Sequence, residues 1–194
     1  MSEGADTHPT PSGSSPPSPP TVAGRAGAAH ELGTRRADRL VLLTKELSAA
    51  GHSAEYAELD VTHPSGVHAS AEGALACHRR IDVLVNNAGV MPPAPLAALC
   101  VAEWHQMIDV NLWGVLHGIA AVLPSMLELR SGHVVTIAST AAQRVDPTAA
   151  VYCATKYALR ALSEGLHFVV AGGGTPTVWS FHRVRNSSDT SSSS

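Results

Sequence analysis

The sequence predicts an α/β fold built around a parallel sheet. Strand-like and helix-like patterns alternate along the chain, which is typical of strand–helix–strand units. The strand-like runs 81–85 and 133–138 are mostly apolar and rich in β-branched residues, as expected of strands buried on both faces. A chain of 194 residues with 44% hydrophobic but only 4% aromatic residues predicts one domain whose core is built from Ala, Val, Leu and Ile.

The predicted elements follow one another without a repeat. Residues 28–34 form a weak strand, and a helix over 36–50 carries leucines on one face and ends at Gly51. A later helix over 103–128 has the longest apolar periodicity, and Pro124 should kink or end it. The other expected elements are a strand over 53–60, a helix beginning near Pro64, strands over 81–85 and 133–138, a helix over 148–168 and a short strand over 177–181.

The two ends of the chain differ in composition from its middle. Residues 1–20 contain six Pro and five Ser without apolar periodicity, which predicts a disordered Pro/Ser-rich tail. Residues 185–194 are Ser-rich and predict a second disordered tail. The sequence therefore predicts a single folded domain over residues 21–184.

Composition and spacing argue against several kinds of partner. The net charge is −3, from 13 basic and 16 acidic residues, and shows no basic patch for nucleic acid or a membrane surface. We expect no membrane span, since no apolar run approaches the roughly 18 residues required, and no secretory signal. Three cysteines without a C-x-x-C spacing indicate reduced thiols in the cytoplasm. Eleven scattered histidines lack metal-ligand spacing, so no metal site is expected.

Tyr152 and Lys156 form the sharpest motif for chemistry. Four positions apart on a predicted helix, they share one face. A phenol holds its proton too tightly to exchange it readily at neutral pH, and an ammonium one turn away stabilises the phenolate. The pair therefore predicts a general acid/base. For the bare pair alone, a partly buried tyrosine beside a solvated lysine on a helix surface is the favoured explanation.

Three more polar positions follow predicted strands or lie in the long helix. Ser139 follows one apolar strand, the run Asn-Asn-Ala-Gly at 86–89 follows another, and Asn111 lies within the long helix. Singly, they are explained as a capping hydroxyl, a strand-end turn and a helix-surface amide. Together they indicate a site at the carboxyl edge of the sheet, where ligands bind in such folds.

In these motifs the chain resembles the short-chain dehydrogenase/reductase family over about residues 27–166. The resemblance implies a Rossmann-like, doubly wound, three-layer sheet of order 3-2-1-4-5-6. It implies hydride transfer between a nicotinamide cofactor and a carbonyl or secondary alcohol, with Tyr152 donating or accepting the proton. Lys156 would support the phenolate and bind the nicotinamide ribose, Ser139 would hold the substrate oxygen, and Asn111 would bind a relay water.

The same resemblance assigns the adenosine half of the cofactor to two strand ends. Asp60 and Val61 would contact the adenine. Asn86, Ala88 and Gly89 would form the wall on the adenosine side.

The resemblance also suggests which cofactor is preferred and how chains associate. Arg35 and Arg36 follow the strand whose end meets the adenosine ribose, where arginine favours the 2′-phosphate of NADP(H) over NAD(H). The alternative is that both arginines are solvated at a helix start. In the family the two long helices build subunit interfaces, which implies a homo-oligomer.

The chain departs from the family at both ends. A T-G-x-x-x-G-x-G turn is absent, because Gly24, Gly27 and Gly33 have other spacings, so the first strand is expected to be missing. The final strand is expected to be missing as well. A truncated or misjoined reading frame and a paralogue that needs a partner strand both explain this. Two functions stay open: an NADP-dependent oxidoreductase, and an inactive homologue that acts as an oligomerising interaction module.

Overall fold

The computed structural model describes residues 29–171 and 180–182, in which strands and helices alternate as predicted. The strands are β1 (His30–Thr34), β2 (Ala54–Glu58), β3 (Val83–Asn86), β4 (His133–Ile137) and β5 (Ser180–His182). The helices are α1 (Ala37–Ala49), α2 (Pro64–His78), α3 (Val101–Leu129) and α4 (Ala150–Ala171), with short 3-10 turns at Leu96–Ala98 and Thr140–Ala142. The predicted tails, the residues before 29 and the start of the predicted strand 177–181 lie outside the described residues.

The described strands form two parallel sheets. In one, β1 pairs with β2 and places Leu32 opposite Tyr56. In the other the order is β3-β4-β5, with Leu84 opposite Val134. In the order 3-2-1-4-5-6, the described strands correspond to 3-2 and to 4-5-6, and no described strand takes the central place of strand 1. The sequence predicts this separation into two sheets.

Strand β3 is less buried than its composition predicts. Val83 and Val85 are 50% and 45% exposed, whereas Leu84 and Asn86 on the other face are half-buried toward α3. The expectation of a strand buried on both faces is therefore wrong here. The reason is that β3 pairs along one edge only among the described residues, and the described helices leave the face with Val83 and Val85 open.

Helices α1 and α2 begin and end where local chemistry predicts. Leu40 and Leu47 of α1 are buried, and the helix packs against β2. Gly51 has φ of 82°, a left-handed conformation that glycine tolerates best after a helix. Pro64 occupies the first turn of α2, where its missing N–H costs nothing.

Helix α3 bears on two expectations. It continues through Pro124 to Leu129, close to the predicted end at 128, so Pro124 does not end it. Ala120, whose carbonyl loses its helical partner to Pro124, is exposed, so water can bind it there. The helix is also long and apolar enough to cross a membrane by length and composition, with a mean hydropathy of 1.5 over 18 residues, contrary to the expectation that no segment qualifies. In the structure α3 packs against α2, β3 and α4.

The core lies between helices α2 and α3 and strands β3 and β4. Val122, Met126 and Val134 form its buried centre, with Leu84 and Ile119 packed around them. This core fixes α3 against the sheet, and thereby the polar side chains that α3 carries.

Matched valine truncations test this account of the sheet. Val134→Ala should lower the free energy of unfolding by about 2 kcal/mol, because Val134 is 1% exposed and its loss leaves a cavity. The same truncation at Val83 should cost less than about 0.5 kcal/mol. Urea unfolding followed by circular dichroism measures both, and equal losses would contradict the described burial.

Candidate active site

Asn111 clamps the loop after β3 onto α3. It lies in a π-helical turn of α3, Asp109–Trp113, and is fully buried. Its Oδ1 accepts the N–H of Val90 at 2.8 Å, and its Nδ2 donates to the Val90 carbonyl at 2.9 Å. Both sides of one amide thus bind one residue's backbone, which fixes the orientation of the loop. Single π turns inside α-helices are frequent at functional sites.

The same amide ties α3 to α4. Asn111 Nδ2 also donates to Thr155 Oγ1 at 3.2 Å, and the Thr155 hydroxyl donates to the Tyr152 carbonyl at 2.7 Å. Asn111 therefore positions the backbone that carries Tyr152. These contacts all go to protein groups, so the relay water stays a prediction.

Lys156 is a buried ammonium one turn from Tyr152. Its Nζ lies 5.7 Å from the centroid of the Tyr152 ring and donates to the carbonyl of Ile137, at the end of β4, at 2.9 Å. Lys156 is 6% exposed, and its burial lowers its pKa from the ordinary value, because desolvation disfavours the charged form. One carbonyl acceptor occupies one of the three ammonium protons.

Gly89 lies beside this ammonium. A β-carbon at Gly89 would lie 3.5 Å from Asn111 Oδ1 and 3.9 Å from Lys156 Nζ. Polar atoms of α3 and α4 thus converge on the backbone that follows β3. Asn111, Lys156 and Gly89, which sequence reasoning singled out separately, are neighbours in space.

Ser139 lies just past the end of β4, two residues after Ile137, whose carbonyl holds Lys156. Its Oγ accepts the N–H of Ala141 at 3.2 Å, which caps the short turn Thr140–Ala142. The side chain is half-buried, so its hydroxyl proton is free to turn toward another acceptor. Ser139 therefore lies at the end of β4, as the sequence predicts, and its hydroxyl also caps the turn that follows.

Asp60 and Val61 form a tight turn after β2. Asp60 Oδ1 accepts the N–H of Thr62 at 2.9 Å and the hydroxyl of Thr62 at 2.8 Å. The backbone and hydroxyl of Thr62, and then the nearby charge of Arg35, hold the pKa of Asp60 below its usual value. Arg35 and Arg36 are both exposed.

Two glycines let α3 approach both strand ends. A β-carbon at Gly114 would lie 2.7 Å from Val61 Cγ2, and one at Gly118 would lie 2.7 Å from Asn86 Oδ1. Neither position has room for a side chain. The Nδ2 of Asn86 is buried without a hydrogen-bond partner among the described residues, and Ala88 is exposed.

Several positioning groups were missed by sequence reasoning. Asn111, Gly114 and Gly118 are spaced i, i+3 and i+7, which places them on one helix face and would have marked both glycines. The acceptors on Val90 and Ile137 are backbone carbonyls, which have no sequence pattern of their own. Within residues 29–171 and 180–182, no group of His, Cys, Asp or Glu side chains is arranged to hold a metal ion.

Known proteins share this arrangement of strands and helices. The sequence model of the family described as short chain dehydrogenase matches residues 21–175. An uncharacterised oxidoreductase of Staphylococcus saprophyticus is 50% identical over 141 residues, which cover 72% of this chain and 56% of the relative.

The chain belongs to the short-chain dehydrogenase/reductase family.

Solved structures of this family superpose on the described fold. A metagenomic short-chain oxidoreductase in complex with NADP has a TM-score of 0.79 and 33% identity, over 84% of this chain and 74% of that one. A short-chain dehydrogenase/reductase of Burkholderia phymatum in complex with NAD has a TM-score of 0.81 and 28% identity, over 84% of this chain and 58% of that one. The Rossmann-like fold is thus confirmed. The chain spans 56% of the length of its staphylococcal relative.

The burial of Lys156 predicts a dependence of stability on pH. The folded protein lowers the pKa of Lys156 below its unfolded value of 10.5, so between the two values the unfolded chain binds the proton more tightly. The contribution of Lys156 to the free energy of unfolding therefore increases with pH between the folded and the unfolded pKa, the latter being 10.5. Relative to Lys156→Met, the wild type should gain stability between pH 7 and pH 10, as measured by urea unfolding. Lys45→Met, at an exposed position, controls for general alkaline effects. A wild-type-minus-variant difference that stays constant with pH would contradict the assignment.

Proposed function

We propose that this chain is an NADP(H)-dependent oxidoreductase that acts on a carbonyl or secondary alcohol, with Tyr152 as general acid/base. The buried ammonium of Lys156, beside the Tyr152 ring and Gly89, carries the proposal. Burying a cation against a single carbonyl costs stability. Buried ionisable groups with a shifted pKa, such as Lys156, are found more often at functional sites.

The residues around Lys156 fit the nicotinamide ribose of a dinucleotide. Two of the three ammonium protons remain for ribose hydroxyls, since one is bound to Ile137. The absence of a side chain at Gly89 leaves room for the sugar next to Asn111 and Lys156. When bound, the nicotinamide supplies the hydride, and the protein supplies position and proton transfer.

Tyr152 then moves the proton. In the reducing direction its hydroxyl donates to the substrate oxygen, and the ammonium of Lys156 stabilises the phenolate that is left. In the oxidising direction the phenolate takes the proton from the alcohol. Ser139 would orient the substrate oxygen by a hydrogen bond, and Asn111 would hold α4 in place and bind a relay water.

The adenosine half would lie at the ends of β2 and β3. Asp60 and Val61 would contact the adenine, and Asn86, Ala88 and Gly89 would form the facing wall. Arg35 and Arg36 are exposed guanidiniums at the end of β1, where they can reach a 2′-phosphate. Relatives of known structure bind NADP in one case and NAD in another, so the preference for NADP(H) rests on these two arginines.

The proposed setting is a cytoplasmic homo-oligomer with a small-molecule substrate and without a nucleic-acid or membrane partner. Large apolar side chains are exposed on both long helices, at Val101 and Trp113 of α3 and at Tyr157 of α4. A second copy packed along α3 and α4 would cover them. Association of this kind buries apolar surface that a monomer leaves in water.

Replacing Tyr152 tests the chemistry. Tyr152→Phe should abolish NADPH-dependent reduction of aldehydes and ketones, by about 10³-fold or more, because the proton donor is lost. Tyr157→Phe, five positions along α4 and 40% exposed, is the matched control and should retain the rate. The measurement is the loss of NADPH absorbance across a panel of carbonyl compounds, with circular dichroism to confirm the fold. Equal rates in Tyr152→Phe and the wild type would rule out the assignment.

Titration of NADPH and NADH tests the cofactor. The wild type should bind NADPH in the micromolar range, and Arg35→Ala/Arg36→Ala should weaken NADPH about tenfold or more, because charge-assisted bonds to phosphate are lost. The affinity for NADH should stay unchanged in the same variant. Fluorescence of the reduced nicotinamide reports binding. Failure of the wild type to bind either cofactor at millimolar concentration would favour the second function, an inactive interaction module. The exposure of Val83 and Val85 on β3 supports that alternative, because a partner could cover them.

A further inference from the structure

His117 links α3 to the turn after β2. Its Nδ1 lies 2.9 Å from the carbonyl oxygen of Val61. A carbonyl only accepts, so Nδ1 must carry the hydrogen in this contact. The Trp113 ring, one turn back along α3, stacks on the imidazole with ring centroids 6.0 Å apart and a 26° interplanar angle. The imidazole is thus held from one side by an indole and directed by one hydrogen bond.

We infer that His117 is a positioning residue for the adenine side of the cofactor site. The inference rests on the proposed function, because it assumes that Val61 and Asp60 contact the adenine. It adds a group that neither the sequence motifs nor the acid/base pair includes. His117 acts on the cofactor through Val61 and does not touch it.

The Asp60–Thr62 turn needs an anchor outside itself. The bonds from Thr62 to Asp60 Oδ1 lie within the turn, so they shape it without fixing it to the rest of the protein. Among the described residues, its strand β2 pairs with β1 and shares no strand pairing with the sheet that carries Lys156's acceptor. Of the contacts that the structure describes, those with helix α3 therefore link the turn to the side of the site with Lys156.

Two contacts of Val61 supply that anchor. Its side chain packs on the bare backbone of Gly114, and its carbonyl accepts the bond from His117. Packing alone permits sliding, because dispersion contacts have little directionality. The hydrogen bond fixes the direction in which the Val61 peptide points, and with it the face that the turn presents.

This geometry predicts a defect confined to one half of the cofactor. The groups assigned to the nicotinamide half, Lys156, Tyr152 and Asn111, are held by Ile137, Thr155 and Val90. Removing the His117 donor leaves all of those bonds in place. Affinity for the adenosine half should fall, while affinity for the nicotinamide half should not.

Calorimetric titration of the whole chain with 5′-AMP, reduced nicotinamide mononucleotide and NADPH tests this. His117→Phe keeps a ring against Trp113 and loses the donor, and should weaken 5′-AMP and NADPH about tenfold, as expected for one lost hydrogen bond. The mononucleotide should bind as to the wild type. His117→Asn, whose amide nitrogen can replace Nδ1 as donor, should restore 5′-AMP affinity to within about threefold. In turnover, the loss should fall mainly on the KM for NADPH.

His105→Phe, the same change at an exposed position of α3, is the matched control and should leave all three affinities unchanged. If His117→Phe does not fold, His117→Leu carries the comparison with His117→Asn. Unchanged 5′-AMP affinity without the donor, or equal losses for 5′-AMP and the mononucleotide, would overturn the inference alone. A wild-type chain that binds none of the three ligands would overturn the proposed function together with it.

Discussion

The site depends on the side-chain amide of Asn111. One buried amide binds both the N–H and the carbonyl of Val90 and reaches Thr155 with its remaining hydrogen. It thereby joins three elements: the loop after β3, helix α3 and helix α4. Buried amides whose nitrogen and oxygen both have partners rigidify their surroundings, whereas unpaired ones are costly. The distance between Gly89 and Lys156 is a consequence of this one clamp.

Helix α3, which carries Asn111, also sets the distance between the carboxyl ends of β2 and β3. Gly114 admits Val61 and Gly118 admits Asn86, each at a distance that leaves no room for a methyl group. Because both glycines lie on the face of Asn111, a single rigid helix sets the positions of the ends of β2 and β3. The placement matters here because the described strands form two sheets rather than one. Helix contacts do the alignment that a shared strand would otherwise do.

The sequence predicts which residues lie on which element better than it predicts how buried they are or which backbone groups they bind. Periodicity locates α1 to α4 and most strands, and the four-residue spacing of Tyr152 and Lys156 places them on one helix face. The same reasoning treats the apolar run at 81–85 as buried, because composition records a residue's preference and not whether a neighbour covers it. It leaves open whether Pro124 kinks or ends α3, because the exposed position of Ala120 is invisible in the pattern. Backbone partners such as the carbonyls of Val90 and Ile137 become known only from coordinates.

The exposed face and edge of β3 have a consequence for how the protein behaves at high concentration. Its valines alternate outward, and its second edge offers backbone donors and acceptors that no described residue uses. Such an edge is a template onto which another extended chain can add, without prior unfolding of the rest. Where that edge stays unpaired in solution, self-association through β3, rather than thermal unfolding, would limit the concentration that this protein can reach, and a lysine in place of Val83 or Val85 would relieve that limit.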